Sequence, residues 1–276
     1  MSLVRPIRVG ATGGLVLAAA LLSAGCTTPT DAFKRTVQDA GFTQHVIPGN
    51  NFDLLILAGR PAGTSDERLH VYIEGDGSAW ISNRWIAKDP TPRHPVALTL
   101  MRLDPAPTLY LGRPCYLGLQ RNCTPDLWTK ERYSEAVVQE MCTALKDYLD
   151  KSGFMGSIVL IGFSGGGTLA MLMASRLAAV DRLVTVAANL DTARWTRLHG
   201  YSPLTNSLNP AAQAPLPERI NQIHLVGGSD QNVPVEIVED AIARQPNAVL
   251  LSYPEFTHNC CWVEVWPDVL DRIGRE

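Results

Sequence analysis

The stretch Ser157-Ile-Val-Leu-Ile-Gly-Phe-Ser-Gly-Gly-Gly-Thr-Leu-Ala-Met-Leu-Met-Ala-Ser175 constrains this chain more than any other. Its first part, from Ser157 to Ile161, is a short run, apolar after the serine, of the kind that forms a buried strand. Its last part, rich in Ala, Leu and Met, reads as a helix from about Gly166 to Ala179. Between them stands Gly162-Phe-Ser-Gly-Gly166, a GxSxG pattern. A serine on so sharp a strand-to-helix turn exposes its hydroxyl, and glycines on either side relieve the crowding of the strained backbone. No Lys follows the glycines and the run does not make GxGxxG, so neither phosphate-binding loop fits.

Around this unit, short apolar runs alternate with longer amphipathic ones, the pattern of a mostly parallel sheet flanked by helices. Strands are predicted at 52–58, 69–74, 108–111, 182–187, 220–226 and 248–253. Helices are predicted at 132–151, with Val138, Cys142, Leu145 and Leu149 on one face, at 235–244, and at 262–273, where Pro267 is an expected interruption. Residues 189–217, rich in Pro and Asn, read as a small cap or a long loop excursion.

A serine hydroxyl needs a base to remove its proton and a carboxylate to orient that base. Of the six histidines, His45 precedes the core, and His70 and His224 lie in strands where a hydrogen-bonded core role is expected. His94 and His199 sit in loops able to line a cleft. Only His258 follows the last strand, in a short loop before the final helix, where the chain order Ser, Asp, His places the base. For the acid, Asp230 ends a strand in the turn Gly-Gly-Ser-Asp230, and Asp191 at the end of the preceding strand is its rival. The oxyanion of acyl transfer requires preorganised N–H donors. Gly165, directly after the serine, offers one; Gly75 and Asp76, in the Gly-rich loop after the strand at 69–74, are candidates for the other.

With GFSGGG, GGSDQNVP and the late histidine in place, the chain from Phe52 onward resembles an α/β-hydrolase, in particular a secreted or lipoprotein branch of that superfamily. The resemblance implies a serine hydrolase acting on carboxylic esters or related small acyl substrates through Ser164, His258 and Asp230, with no cofactor and no metal. Where the family often carries His-Gly after the early strand, this chain has Glu74-Gly75. Arg113-Pro-Cys-Tyr, Leu127-Trp-Thr and Arg132-Tyr-Ser also resemble that branch, without an assigned role. A non-catalytic envelope lipoprotein that keeps the fold for binding is the alternative.

The N-terminus reads as targeting. Arg5 and Arg8 precede an apolar run to Gly25, the layout of a secretory signal over residues 1–25. Leu-Ser-Ala-Gly-Cys26 resembles a bacterial lipobox, which implies acylation of Cys26 and a lipid anchor in the cell envelope; Thr27 after it resembles lipoproteins sent to the outer membrane. Residues 26–45 are then expected as a tether and 46–276 as one hydrolase domain, monomeric.

Export permits disulfides. Cys115 and Cys123 bracket a short loop and are the expected pair. Cys142 reads as a buried hydrophobe, and Cys260 and Cys261 as a vicinal pair or, for one of them, a partner to Cys142. His258-x-Cys260-Cys261 alone supplies too few ligands for zinc. A net charge of −3 without a Lys/Arg run excludes a nucleic-acid footprint.

Overall fold

The computed structural model describes residues 27–61, 68–82 and 84–275; the predicted signal segment and Cys26 lie outside them. In chain order the elements are α1 (Pro29–Ala40), β1 (Thr43–Pro48), β2 (Asp53–Ala58), β3 (Leu69–Ile73), β4 (Trp80–Ile81), β5 (Trp85–Ile86), α2 (Val96–Met101) and β6 (Thr108–Leu111). They continue with α3 (Glu135–Ser152), β7 (Ile158–Phe163), α4 (Gly165–Ala174), β8 (Val180–Val186), α5 (Thr192–His199), β9 (Asn221–Gly227), α6 (Val235–Ile242), β10 (Ala248–Tyr253) and α7 (Trp262–Arg275).

Eight strands form one sheet in the order β1-β2-β6-β3-β7-β8-β9-β10. From β6 to β10 all neighbours run parallel, and β1 and β2 are antiparallel additions at one edge. The central strands β3 and β7 are buried at every position, which explains why they read as largely apolar runs, broken in β3 only by His70, rather than alternating ones. From these two neighbours the chain leaves in opposite directions across the sheet. That topological switch opens a crevice at their carboxyl ends, the place where open α/β sheets bind ligands.

Three expectations are corrected. Residues 26–45 are not a plain tether: Thr28 caps α1, with Asp31 N–H donating to its hydroxyl, and Phe33 and Val37, one turn apart, are buried in the core. With Pro29 and Thr30 buried at its start, this otherwise polar helix has only these two core hydrophobes, too few to stand out as a periodic face. His45 lies within β1, which pairs with β2 in register His45↔Ile56. Pro267 does not interrupt α7: in the second turn its missing N–H forfeits a single bond, and Trp262 and Trp266 before it and Val269 and Ile273 after it bury the helix. Residues 189–217 contain α5 and a single 3-10 turn (Pro210–Ala212) laid against the core, with Leu208 N–H donating to the carbonyl of Tyr133 and Ala211 N–H to that of Leu190. No helix among the described residues is long and apolar enough to cross a membrane.

Candidate active site

Ser164 stands between β7 and α4 with φ 50° and ψ −122°, a left-handed conformation that a non-glycine residue holds only under strain. Its amide donates to the carbonyl of Val186 at 2.8 Å, so β8 fixes the turn. The flanking glycines are required by contact: a Cβ on Gly162 would strike the Gly166 backbone, and one on Gly165 would strike the Asp76 carboxylate.

His258 lies across from the serine, its Nε2 3.0 Å from Ser164 Oγ and its Nδ1 2.8 Å from Asp230 Oδ2. The loops that carry Asp230 and His258 are joined to each other. Ser229 N–H donates to the carbonyl of Phe256 and Ser229 Oγ–H to that of Pro254, each at 3.0 Å. Asp230 Oδ1 accepts the amides of Asn232 at 2.8 Å and Val233 at 2.9 Å, which leaves Oδ2 for the imidazole. Behind His258, Trp262 Nε1–H donates to its carbonyl at 2.9 Å, while Tyr253, Phe256 and Trp262 stack as an aromatic cluster beneath the loop. Cys260 and Cys261 are disulfide-bonded to each other in the same loop, and Cys142 is free and buried on the apolar face of α3.

The other candidates fall elsewhere. Asp191 caps α5, its Oδ1 accepting from Arg194 N–H at 3.1 Å and Asn209 Nδ2–H at 2.9 Å. His70 is bonded to Asp104 in the core, and His224 faces Thr185, its pKa pushed down to about 3 by burial. His94 lines the cavity beside Ser164; His199 does not, and instead approaches the carbonyl of Asn232 at 2.8 Å.

The amides of Gly165 and Asp76 donate to no described acceptor, whereas that of Gly75 donates to the Glu74 carboxylate at 3.1 Å. Gly75 is therefore engaged, which leaves Gly165 and Asp76 as the candidate donors. Glu74, at the position where the family often has histidine, is fully buried. Burial pushes its pKa up to about 7, against the opposing pull of the amides of Gly75, Ala97 and Leu98.

Arg113, Arg132 and Tyr133 have no role assignable from the sequence, and the structure gathers all three on Asp76. Arg113 Nη1 reaches Oδ1 at 2.7 Å, Arg132 Nη1 reaches Oδ2 at 2.8 Å and Tyr133 O–H donates to Oδ2 at 2.5 Å, while Tyr116 O–H donates to the Asp76 carbonyl at 3.0 Å. Burial would raise the Asp76 pKa, but the Arg132 and Arg113 guanidiniums and the Tyr133 hydroxyl outweigh it and hold the carboxyl well below the usual range. The disulfide Cys115–Cys123, with Cα atoms 5.6 Å apart, pins the loop that carries Tyr116.

These groups surround a cavity of about 380 Å³ that includes Asp76, Arg132, Ser164, Asn189, Trp195 and His258. The side-chain oxygen of Asn189 is buried there without a described partner. Among the described residues, no three His, Cys, Asp or Glu side chains are grouped to hold a metal ion.

An esterase of Pyrococcus furiosus has the same fold at 15% identity, with a TM-score of 0.58, covering 86% of this chain and 91% of that one. Est1E of Butyrivibrio proteoclasticus, solved with ferulic acid bound, is similar at 16% identity and TM-score 0.58, covering 83% and 97%. VinJ is similar at 13% identity and TM-score 0.61, covering 83% and 98%. A sequence search of curated proteins finds no match. The serine hydrolase (FSH1) family, however, matches residues 121–258, half of the chain and the half that holds Ser164, Asp230 and His258. The chain is an α/β-hydrolase enzyme and belongs to the serine hydrolase (FSH1) family.

Proposed function

We propose that this hydrolase cleaves carboxylic esters of small acyl groups through an acyl-enzyme on Ser164. The observation that carries the reading is the position of His258, within hydrogen-bond reach of both Ser164 Oγ and Asp230 Oδ2. His258 Nε2 takes the hydroxyl proton as Ser164 Oγ attacks the acyl carbon. The oxyanion then rests on the amides of Gly165 and Asp76. The proton passes to the leaving alcohol, and water, deprotonated by the same imidazole, releases the acid. Asp230 holds the Nδ1–H tautomer and stabilises the imidazolium. A cavity of about 380 Å³ has room for a small acyl group, on the scale of the ferulic acid that Est1E binds. The lipobox-like Cys26 supports anchoring of the mature chain to the bacterial envelope by lipid.

A fluorophosphonate probe should label the purified protein, and Ser164→Ala should remove the label. No labelling, or equal labelling of the variant, would leave a binding lipoprotein as the reading.

A further inference from the structure

Between the oxyanion-side loop and α2 the chain forms a two-stranded hairpin, β4 paired with β5 in register Trp80↔Ile86 and Ile81↔Trp85. All four side chains are exposed: Trp80 by 45%, Ile81 by 55%, Trp85 by 65% and Ile86 by 43%. So much large apolar surface on one small projection has no packing explanation among the described residues. The projection is held from below. Ala87 N–H donates to the carbonyl of Ala79 and Ser78 N–H to that of Pro90, both at 2.9 Å, while Trp128 Nε1–H donates to the carbonyl of Ala87 at 3.0 Å. Its exposed charged neighbours are basic: Arg84 lies over the Trp85 ring at 5.5 Å, and both Arg84 and Lys88 are exposed, while the carboxylate of the half-buried Asp89 is held by the Thr30 and Thr91 amides.

We infer that this hairpin seats in the interfacial region of an anionic lipid bilayer and turns the mouth of the active-site cavity toward that surface. Three observations select a bilayer as the occupant. Tryptophan flanked by Arg and Lys is the composition that partitions into the headgroup layer. The start of the described chain emerges at the same place: Thr30 N–H donates to Asp89 Oδ2 at 2.9 Å, and Thr30 and Thr91 share a hydroxyl bond at 3.0 Å, just past the hairpin. Thr27 and Thr28 are exposed there, and Cys26 is one peptide link, about 3.8 Å between Cα atoms, from Thr27. An acyl anchor on Cys26 would thus enter the membrane beside the hairpin. The segments flanking the hairpin also line the cavity, through Ser78 before it and Pro92, Arg93 and His94 after it. This orientation rests on the proposed acylation of Cys26; the hairpin's affinity for lipid does not.

The test uses the full chain in vesicles of phosphatidylethanolamine and phosphatidylglycerol whose acyl chains are brominated near the headgroup. Bromine should quench the tryptophan emission of the wild type, and Trp80→Ser/Trp85→Ser should lose most of that quenching, because Trp128, Trp262 and Trp266 are buried and Trp195 is half-buried in the cavity wall. Hydrolysis of a water-soluble ester by the double variant should stay at the wild-type rate, which shows that it folds. Equal quenching in both, or none in the wild type, would overturn the proposal, as would a dimer in solution that the double variant dissolves. The mass of the mature N-terminus reports acylation separately. If Cys26 carries no lipid, only the anchored orientation falls, and chain added to preformed vesicles should still be quenched through the hairpin.

Discussion

Arg113 Nη1 meets Asp76 Oδ1 at 2.7 Å, so the loop that presents one candidate oxyanion amide is fastened to a residue 37 positions later. Arg132 and Tyr133 close the other side of the same carboxylate. The backbone N–H of Asp76 can act on a developing negative charge only if this loop is already in place when the charge forms. Removing the carboxylate leaves two largely buried guanidiniums with nothing to neutralise them. Asp76→Ala should therefore cost about 3 kcal/mol of stability. Arg132→Met, which leaves Asp76 bound to Arg113, should lower kcat more than it raises KM. Steady-state kinetics with urea unfolding of both variants checks this.

Two buried groups set opposing pH dependences. Glu74, raised to about 7, keeps its proton in the folded chain where the unfolded chain has lost it, so its contribution to stability falls as pH rises from about 4.5 to 7. His224, lowered to about 3, stays neutral where the unfolded chain is charged, so its contribution rises with pH up to about 6.5. Each amounts to about 1.4 kcal/mol per pH unit, and between pH 4.5 and 6.5 they nearly cancel. Glu74→Gln should remove one of the pair and leave a stability that climbs with pH across that window. Urea midpoints at several pH values measure it; parallel profiles for variant and wild type would contradict it.

Asp230 and Asp191 end neighbouring strands, and their surroundings assign them different work. Asp230→Ala should reduce kcat by about four orders of magnitude. Asp191→Ala should cost about 1 kcal/mol of stability, the loss of a helix cap, with kcat unchanged within a few-fold. Ester hydrolysis and thermal unfolding of the two variants separate these effects.

The cysteines should act on different properties. Cys115→Ser/Cys123→Ser opens a short loop and should lower stability by about 2 kcal/mol on the chain-entropy account. Cys260→Ser/Cys261→Ser loosens the loop that carries His258 and should lower kcat with a smaller loss of stability. Equal effects of the two pairs on kcat would refute this division.

Much of the site was legible because its parts are marked locally. The elbow declares itself through the sterics of Gly162 and Gly165, Asp230 through a turn at a strand end, and His258 through its place after the last strand. The Asp76 clamp was not legible, although its pieces were noticed: Arg113, Arg132 and Tyr133 meet Asp76 only after β3 and β6 have paired, and no spacing along the chain encodes that. Helix α1 was missed because only Phe33 and Val37 among its buried residues, Pro29, Thr30, Phe33 and Val37, are core hydrophobes. The exposure of Trp80 and Trp85 follows from the antiparallel pairing of β4 with β5, a property of the folded loop. Glu74 in place of histidine marked a departure whose consequence, a proton held to about pH 7, depends on burial that the sequence does not display.

The most direct measurement is kcat/KM for a nitrophenyl ester in Ser164→Ala, His258→Ala and the double variant. If Ser164 is the nucleophile and His258 its base, each single change should cost about 10⁴-fold or more, and the double should be little worse than either alone, since the two act as one unit. Retention of more than about a tenth of the activity in either single variant, or losses that multiply in the double, would contradict the account.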